Sequence, residues 1–140
     1  MARSKWLLII VISVVLAIGL IVIVMNFDSQ PIEEDEFDER YLPAIRIIIH
    51  NGTGFRRLAN DVRQSLFGKN IDVVGVGNTR NFNYDETIIV VKHDDETELR
   101  RLMRMTGVRN VIYAVNENFH VPFILIVGRD YHLFFDVERN

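Results

Sequence analysis

The chain has 140 residues, a formal net charge of −3 and no cysteine. The absence of cysteine excludes disulfides, thiolate metal sites and a cysteine nucleophile, so the fold depends on its apolar core. The negative charge is concentrated between Asp28 and Glu39, whereas acidic and basic residues nearly balance from Leu42 onward. The folded part is therefore not a strongly basic nucleic-acid-binding domain, and we expect no nucleic-acid partner.

Residues Trp6–Met25 form an apolar run whose only polar side chain is Ser13. Because a helix rises about 1.5 Å per residue, about 20 such residues cross the hydrocarbon core of a bilayer. The run is therefore predicted to be a single transmembrane helix, with the lipid bilayer as its partner. Arg3 and Lys5 precede it, so the positive-inside rule places residues 1–5 in the cytoplasm and the rest outside.

A cleaved signal peptide is the alternative, because it also begins with basic residues and an apolar run. The run here is longer than the usual apolar region of about 7–15 residues. The residues that follow it, Val24 to Phe27, do not form a small-residue cleavage site. We therefore favour an uncleaved signal anchor in the inner (cytoplasmic) membrane, with the remaining chain on the periplasmic, extracytoplasmic side.

Residues 26–42 contain Pro31 and a dense acidic run from Glu33 to Glu39. Like charges at this density repel one another and resist packing. The segment is therefore predicted to be an extended linker between the membrane and a domain at residues 43–140. An acidic recognition tail is the alternative interpretation.

The domain alternates between β-branched apolar runs and amphipathic helical patterns. Their order predicts an α+β fold, a ferredoxin-like βαββαβ sandwich with two helices on one face of a four-stranded sheet. In that topology the first and third strands lie side by side and parallel in the middle. Val111–Val115 is either a short strand or a bent extension. The predicted elements are strand Ile45–His50, helix Phe55–Gly68, strands Ile71–Val76 and Thr87–Lys92, a helix from Asp94–Asp95 to Gly107, and strand Phe123–Val127.

Local signals mark the ends of both predicted helices. Thr53 is expected to cap the start of the first helix, and Gly68 to adopt a left-handed conformation at its end. Asp95 and Glu98 have the spacing of a capping box at the start of the second helix, which Gly107 ends.

Several short motifs follow one another over residues 43–131: Asn51-Gly52-Thr53-Gly54, Leu58-Ala59, Val73-Val74-Gly75-Val76-Gly77-Asn78 and Val127-Gly128-Arg129-Asp130-Tyr131. Together, these motifs and their spacing resemble the LytR C-terminal domain family. The resemblance implies a bacterial cell-envelope protein whose anchored domain faces outward. The family's catalytic phosphotransferase domain, which often precedes this one, is absent, so we expect no enzymatic activity and no cofactor. His50 departs from the family pattern, where an apolar residue is usual.

The segment Asn51-Gly52-Thr53-Gly54 precedes a predicted helix, where free backbone amides can bind an anion. A phosphate on a cell-wall polymer is a candidate ligand. No lysine follows the glycines as a phosphate-binding loop requires. A tight strand-to-helix turn is therefore the favoured interpretation.

Three arginines, Arg100, Arg101 and Arg104, are predicted to lie on the exposed side of the second helix. Anionic polymers or lipid headgroups are their candidate ligands, each base contributing about 1 kcal/mol near a charged bilayer. A solvated helix face paired locally with Glu96 and Glu98 is the favoured alternative.

His50 and His93 end the first and third predicted strands. If those strands are parallel neighbours, both imidazoles and Asp94 lie at one edge of the sheet, where they have the ligand types of a zinc site. Polar residues are common at strand ends, and the spacing matches no metal motif. We therefore predict no metal site.

These patterns favour a non-enzymatic, membrane-anchored domain that binds a cell-envelope partner, either a wall polymer or an envelope protein. The alternative is a structural subunit of a larger membrane complex that packs through Trp6–Met25. Gly19 alone, without a second small residue four positions away, gives little support to close helix packing.

Overall fold

The structure is a computed structural model that describes residues 6, 12–16 and 38–137. Residues 6 and 12–16 are helical and exposed. Among the described residues, no helix has both the length and the apolar character needed to cross a bilayer. The leader at residues 1–5, most of the predicted anchor Trp6–Met25 and most of the linker at residues 26–42 lie outside the described residues.

A separate compact unit begins at Glu39 and contains a mixed sheet and two helices. Short 3-10 helices at Glu39–Tyr41 and Tyr131–Leu133 lie near its two ends. The main elements are β1 (Ile45–Asn51), α1 (Leu58–Ser65), β2 (Ile71–Asn78), β3 (Ile88–Val91), α2 (Glu96–Thr106), β4 (Val111–Tyr113) and β5 (Phe123–Val127).

The sheet has five strands in the order β2-β1-β5-β3-β4. β1 is parallel to both β2 and β5, whereas β3 is parallel to β4 and antiparallel to β5. The α+β class is confirmed, but the four-stranded ferredoxin-like topology was wrong. β5 separates β1 from β3, which run in opposite directions. Because β5 is apolar on both faces, a central position buries more of its surface than the edge position predicted for it.

One face of the sheet carries the hydrophobic core. The register aligns Ile49 with Leu125 and Leu125 with Ile89, so buried side chains of three adjacent strands form a row. Leu58 of α1 and Leu102 of α2 belong to the same buried cluster. Both helices therefore cover this face.

The helix ends agree in part with the local signals. The Asp95 side chain accepts a hydrogen bond from the Glu98 amide (2.9 Å), which confirms the cap of α2. Gly107 ends α2 with φ 79°, and Gly68 also has a positive φ. Thr53 does not cap α1, because the helix begins three residues after the predicted Phe55, beyond a turn.

The antiparallel junction of β3 and β5 explains the Gly-x-Asp-Tyr motif. Asp130 Oδ1 accepts hydrogen bonds from the Thr87 amide (2.8 Å) and the Thr87 hydroxyl (2.6 Å). The Gly128 amide donates to the same hydroxyl oxygen (3.0 Å). A Cβ at Gly128 would lie only 2.3 Å from the carbonyl carbon of Glu86. Gly128 therefore permits a backbone approach that any side chain would prevent.

We predict that Gly128→Ala lowers the free energy of unfolding by at least about 2 kcal/mol, since overpacking of this kind commonly costs about 1–3 kcal/mol. Gly75→Ala is the matched control, because its Cβ would lie 3.7 Å from Ile48, an ordinary contact. Urea unfolding of the full chain in detergent measures both variants. Equal midpoints for the two would contradict the close approach.

Candidate functional site

The turn at Asn51–Gly54 is closed by its own side chains. Asn51 Oδ1 accepts hydrogen bonds from the Thr53 amide (3.0 Å) and the Thr53 hydroxyl (2.9 Å). Asn51 Nδ2 donates to the Phe55 carbonyl oxygen (2.6 Å), and the Phe55 amide donates to Thr53 Oγ1 (3.1 Å). The Gly52 amide donates to the Val127 carbonyl oxygen (2.9 Å).

The amides of Gly52, Thr53 and Phe55 thus have protein acceptors, which agrees with the tight-turn interpretation of this segment. A Cβ at Gly52 would lie 2.8 Å from Tyr84 Cβ, and Gly54 has φ 78°. Both glycines therefore serve the close packing of the turn. The turn thereby fixes the position of Phe55, three residues before α1 begins.

A cleft of about 860 Å³ lies beyond this turn, between α1 and the chain that follows β5. Its size falls within the usual range of ligand-binding pockets, about 300–1,000 Å³. Phe55 and Tyr131 form its aromatic part, with ring centroids 6.2 Å apart in an edge-to-face contact. Tyr131 is buried and Phe55 is 39% exposed. The lining residues are Phe55, Arg56, Arg57, Leu58, Asp61, Gln64, Ser65, Tyr131, Asp136 and Val137.

Arg57 holds an unusual backbone conformation at this cleft. Its φ of 65° is the only positive value among the non-glycine residues that the structure describes. A left-handed conformation costs a residue with a Cβ about 1–2 kcal/mol, and such strain is concentrated at functional sites. Arg57 precedes α1 and forms no side-chain capping hydrogen bond. Glycine would adopt this left-handed conformation without the strain. The presence of an arginine side chain at this position therefore needs an explanation.

The charges of the cleft are mixed. Arg56 and Arg57 are exposed, and the carboxylates of Asp61 and Asp136 line the same cleft. Guanidinium groups bind phosphate and carboxylate in a bidentate manner. Carboxylate oxygens and the Gln64 amide can accept or donate hydrogen bonds to hydroxyl groups. This chemistry suits a ligand that carries both hydroxyl and anionic groups.

The arginines of α2 do not form one exposed surface. Arg101 is only 7% exposed, and its Nη2 lies 2.7 Å from Glu39 Oε2 and 3.0 Å from the Pro43 carbonyl oxygen. Arg100 forms an exposed ion pair with Glu96 at 3.3 Å, as the local-pairing alternative predicts. Arg104 is exposed. The prediction that Arg101 is exposed was wrong, because Glu39, 62 residues earlier, covers it.

The Arg101–Glu39 ion pair secures the start of the domain. Arg101 Nε lies 3.0 Å from Glu39 Oε1, and Asn70 Nδ2 donates to the Glu39 carbonyl oxygen (2.7 Å). The hydrogen bonds from Arg101 hold the pKa of Glu39 below its ordinary value of 4.5. The same contact raises the pKa of Arg101. Glu39 therefore stabilises the fold above its ordinary pKa, and this contribution is lost as the pH falls through the lower, folded value.

We predict that Glu39→Gln lowers the free energy of unfolding by about 1–2 kcal/mol at pH 7, because Arg101 then remains buried without its charged partner. At a pH well below 4.5 the wild-type carboxyl is also protonated, so the difference should shrink. Urea unfolding midpoints of the wild type and Glu39→Gln at the two pH values measure this difference. Glu96→Gln removes an exposed pair and should change the free energy by less than about 0.5 kcal/mol. A Glu39→Gln effect that is the same at both pH values would contradict this account.

The two candidate metal-binding histidines lie at opposite ends of the sheet. His50 is near the carboxyl end of β1, and His93 follows β3, which runs antiparallel to β5 and hence to β1. His93 Nε2 lies 2.7 Å from the Phe119 carbonyl oxygen. His50 leans over Gly77 of β2, and partial burial lowers its pKa. Among the described residues, no group of three histidine, aspartate or glutamate side chains is arranged to hold a metal ion.

Sequence reasoning located the turn but missed the cleft beside it. The predicted helix Phe55–Gly68 included Arg56 and Arg57, although the helix begins only at Leu58. Two adjacent arginines after a glycine-rich turn were the available signal. Tyr131 and Asp136 come from the other end of the domain, so no local pattern connects them with Arg56.

The sequence profile of one protein family matches residues 44–131. Its description is LytR cell envelope-related transcriptional attenuator (LytR_C). The match covers most of the chain, and the chain belongs to this family, which confirms the resemblance. No characterised protein and no solved structure gave a significant match. The family is related to the cell envelope, and the match indicates no catalytic family.

Proposed function

We propose that this chain is a membrane-anchored, extracytoplasmic and non-enzymatic protein that binds an anionic glycan polymer of the cell envelope. The binding site is the cleft between α1 and the residues that follow β5. The envelope context comes from the family match over residues 44–131. The anchor is the apolar run Trp6–Met25, and its orientation follows from Arg3 and Lys5.

The observation that carries the proposal is the strained Arg57 in the wall of the cleft. Arg56 and Arg57 form no ion pair with any residue between 38 and 137, so their guanidinium groups are available to an anionic ligand. The exposed part of the Phe55 ring offers an apolar surface to a sugar ring. An arginine pair beside an aromatic ring and hydrogen-bonding side chains is suited to alternating anionic and hydroxylated units.

An envelope protein is the other candidate partner, and acidic side chains would meet the same two arginines. The Asn51–Gly54 turn contributes by positioning Phe55 and Arg56, and Arg100 and Arg104 are secondary candidates for the same polymer. The structural-subunit alternative depends on Trp6–Met25, most of which lies outside the described residues.

We predict that Arg57→Gly weakens binding to purified cell-wall sacculi about tenfold, because one charge-assisted contact contributes about 1.4 kcal/mol or more. The same variant should keep its stability or gain up to about 1 kcal/mol, since glycine relieves the left-handed strain. Co-sedimentation with sacculi and thermal unfolding measure the two effects.

Arg80→Gly is the matched control, because Arg80 is exposed and does not line the cleft. Sacculi stripped of their anionic polymers should bind the wild type as weakly as Arg57→Gly binds the intact material. Undiminished binding of Arg57→Gly would refute the cleft as the site. Retained binding to stripped sacculi would refute the anionic polymer as the ligand.

We also predict that a reporter enzyme fused after Asn140 is active only when it is exported, because Trp6–Met25 inserts with its basic end inside. Deletion of residues 1–25 should abolish reporter activity and release the fusion from the membrane fraction. Replacing Arg3 and Lys5 by glutamate is expected to reduce export without releasing the fusion. A full-length fusion that is active only in the cytoplasm would overturn the proposed location.

A further inference from the structure

The two edges of the sheet differ in how they are protected against pairing with another chain. The β2 edge carries Asp72 and two glycines, and its register with β1 shifts between Ile47 and Ile48. Charges and bulges of this kind discourage strand addition. The β4 edge has no such device, since no charged residue and no proline occurs from Val111 to Asn116.

The β4 edge is also exposed and apolar. Ile112, Tyr113 and Val115 are 51%, 59% and 52% exposed. The Ala114 amide donates to the Val91 carbonyl oxygen (3.0 Å), and the Asn116 amide donates to the Lys92 carbonyl oxygen (2.9 Å). Because successive residues of a strand direct their amides to opposite sides, Val111, Tyr113 and Val115 direct theirs away from β3. These groups are positioned to pair with a further strand.

We propose that two copies of this chain pair through residues 111–115 as antiparallel strands, with a two-fold axis at Tyr113. This register uses the outward backbone groups on both sides of the axis. Val111 of one copy lies opposite Val115 of the other, and the large Ile112 lies opposite the small Ala114. The two sheets then form one continuous ten-stranded sheet, which leaves the α1 cleft of each copy open.

Charge complementarity favours this register and favours a second copy of this chain as the partner. Arg109 and Glu117 are exposed and flank the uncharged segment four residues on either side of Tyr113. Antiparallel pairing about Tyr113 therefore brings Arg109 of each copy towards Glu117 of the other, which begins the turn after Asn116. A two-fold axis at Ile112 would instead place Arg109 opposite Val115, without an ion pair. No like charges meet along the paired segment.

The pairing is reversible rather than obligate. A strand pair of this length buries less than the roughly 1,200 Å² of a standard stable interface. Association should therefore depend on protein concentration and be favoured where copies share one membrane.

Cysteine cross-linking of the full chain in detergent tests the register. Directly opposite residues of a hydrogen-bonded antiparallel pair have Cα atoms about 5.5 Å apart, within the disulfide range of about 4.4–6.8 Å. Because the chain has no cysteine, Tyr113→Cys introduces a single thiol at the axis. Oxidation should give a disulfide-linked dimer. Val74→Cys, exposed on the β2 edge, is the matched control and should give no disulfide-linked dimer.

Exchange of the charges at Arg109 and Glu117 tests whether the partner strand belongs to a second copy of this chain. We expect Arg109→Glu or Glu117→Arg, introduced into the Tyr113→Cys chain, to reduce the rate of cross-linking about tenfold, and the two together to restore it.

Tyr113→Pro alone should abolish the dimer in sedimentation equilibrium while preserving the unfolding midpoint, since it removes only an outward amide. Three results would each overturn the proposal. They are equal cross-linking at Val74→Cys, a double charge exchange that fails to restore the cross-linking rate, and a dimer that persists in Tyr113→Pro. The last result would assign association to Trp6–Met25.

Discussion

The pairing of β5 with both β1 and β3 holds this domain together. β1-α1-β2 and β3-α2-β4 are two parallel strand–helix–strand units, and each alone would present only a two-stranded sheet. Two strands are marginally stable at best in water. Leu125 of β5 lies between Ile49 and Ile89, so one strand completes the apolar row on which both helices pack. The core therefore depends on β5, although β5 is the last of these strands in the sequence.

The same strand determines where the candidate site lies. Because β5 is parallel to β1, the segments that follow these two strands emerge at the same end of the sheet. The Asn51–Gly54 turn and the chain from Gly128 to Val137 consequently approach each other, and the Gly52 amide bonds to the Val127 carbonyl oxygen. The cleft forms between α1, which follows that turn, and the chain after β5. β3 runs in the opposite direction, so His93 lies at the far end and shares no site with His50.

Prediction of the candidate site from sequence succeeded only where a signal was local. The Asn-Gly-Thr-Gly pattern correctly indicated a tight turn, because the side chains that close it lie within four residues of one another. Arg101 has helical periodicity that places it beside the inward Leu102, but its burial depends on Glu39 in the preceding linker. The strain at Arg57 had no sequence signal either, since arginine is an ordinary helix-forming residue. Tyr131 was recognised as part of a motif, but its contact with Phe55 depends on the parallel pairing of β1 and β5.

Sequence alone determined the family, the α+β class and local features of the domain such as the Asp95 cap and the Gly107 helix end. These features depend on residues a few positions apart, whose spacing directly sets their geometry. Tertiary structure decided the strand order, the fifth strand at Val111–Tyr113, the burial of Arg101 and the assembly of the cleft. Each of these depends on which apolar strand occupies the centre of the sheet. That choice is made by burial on both faces, a property of the whole chain rather than of any segment.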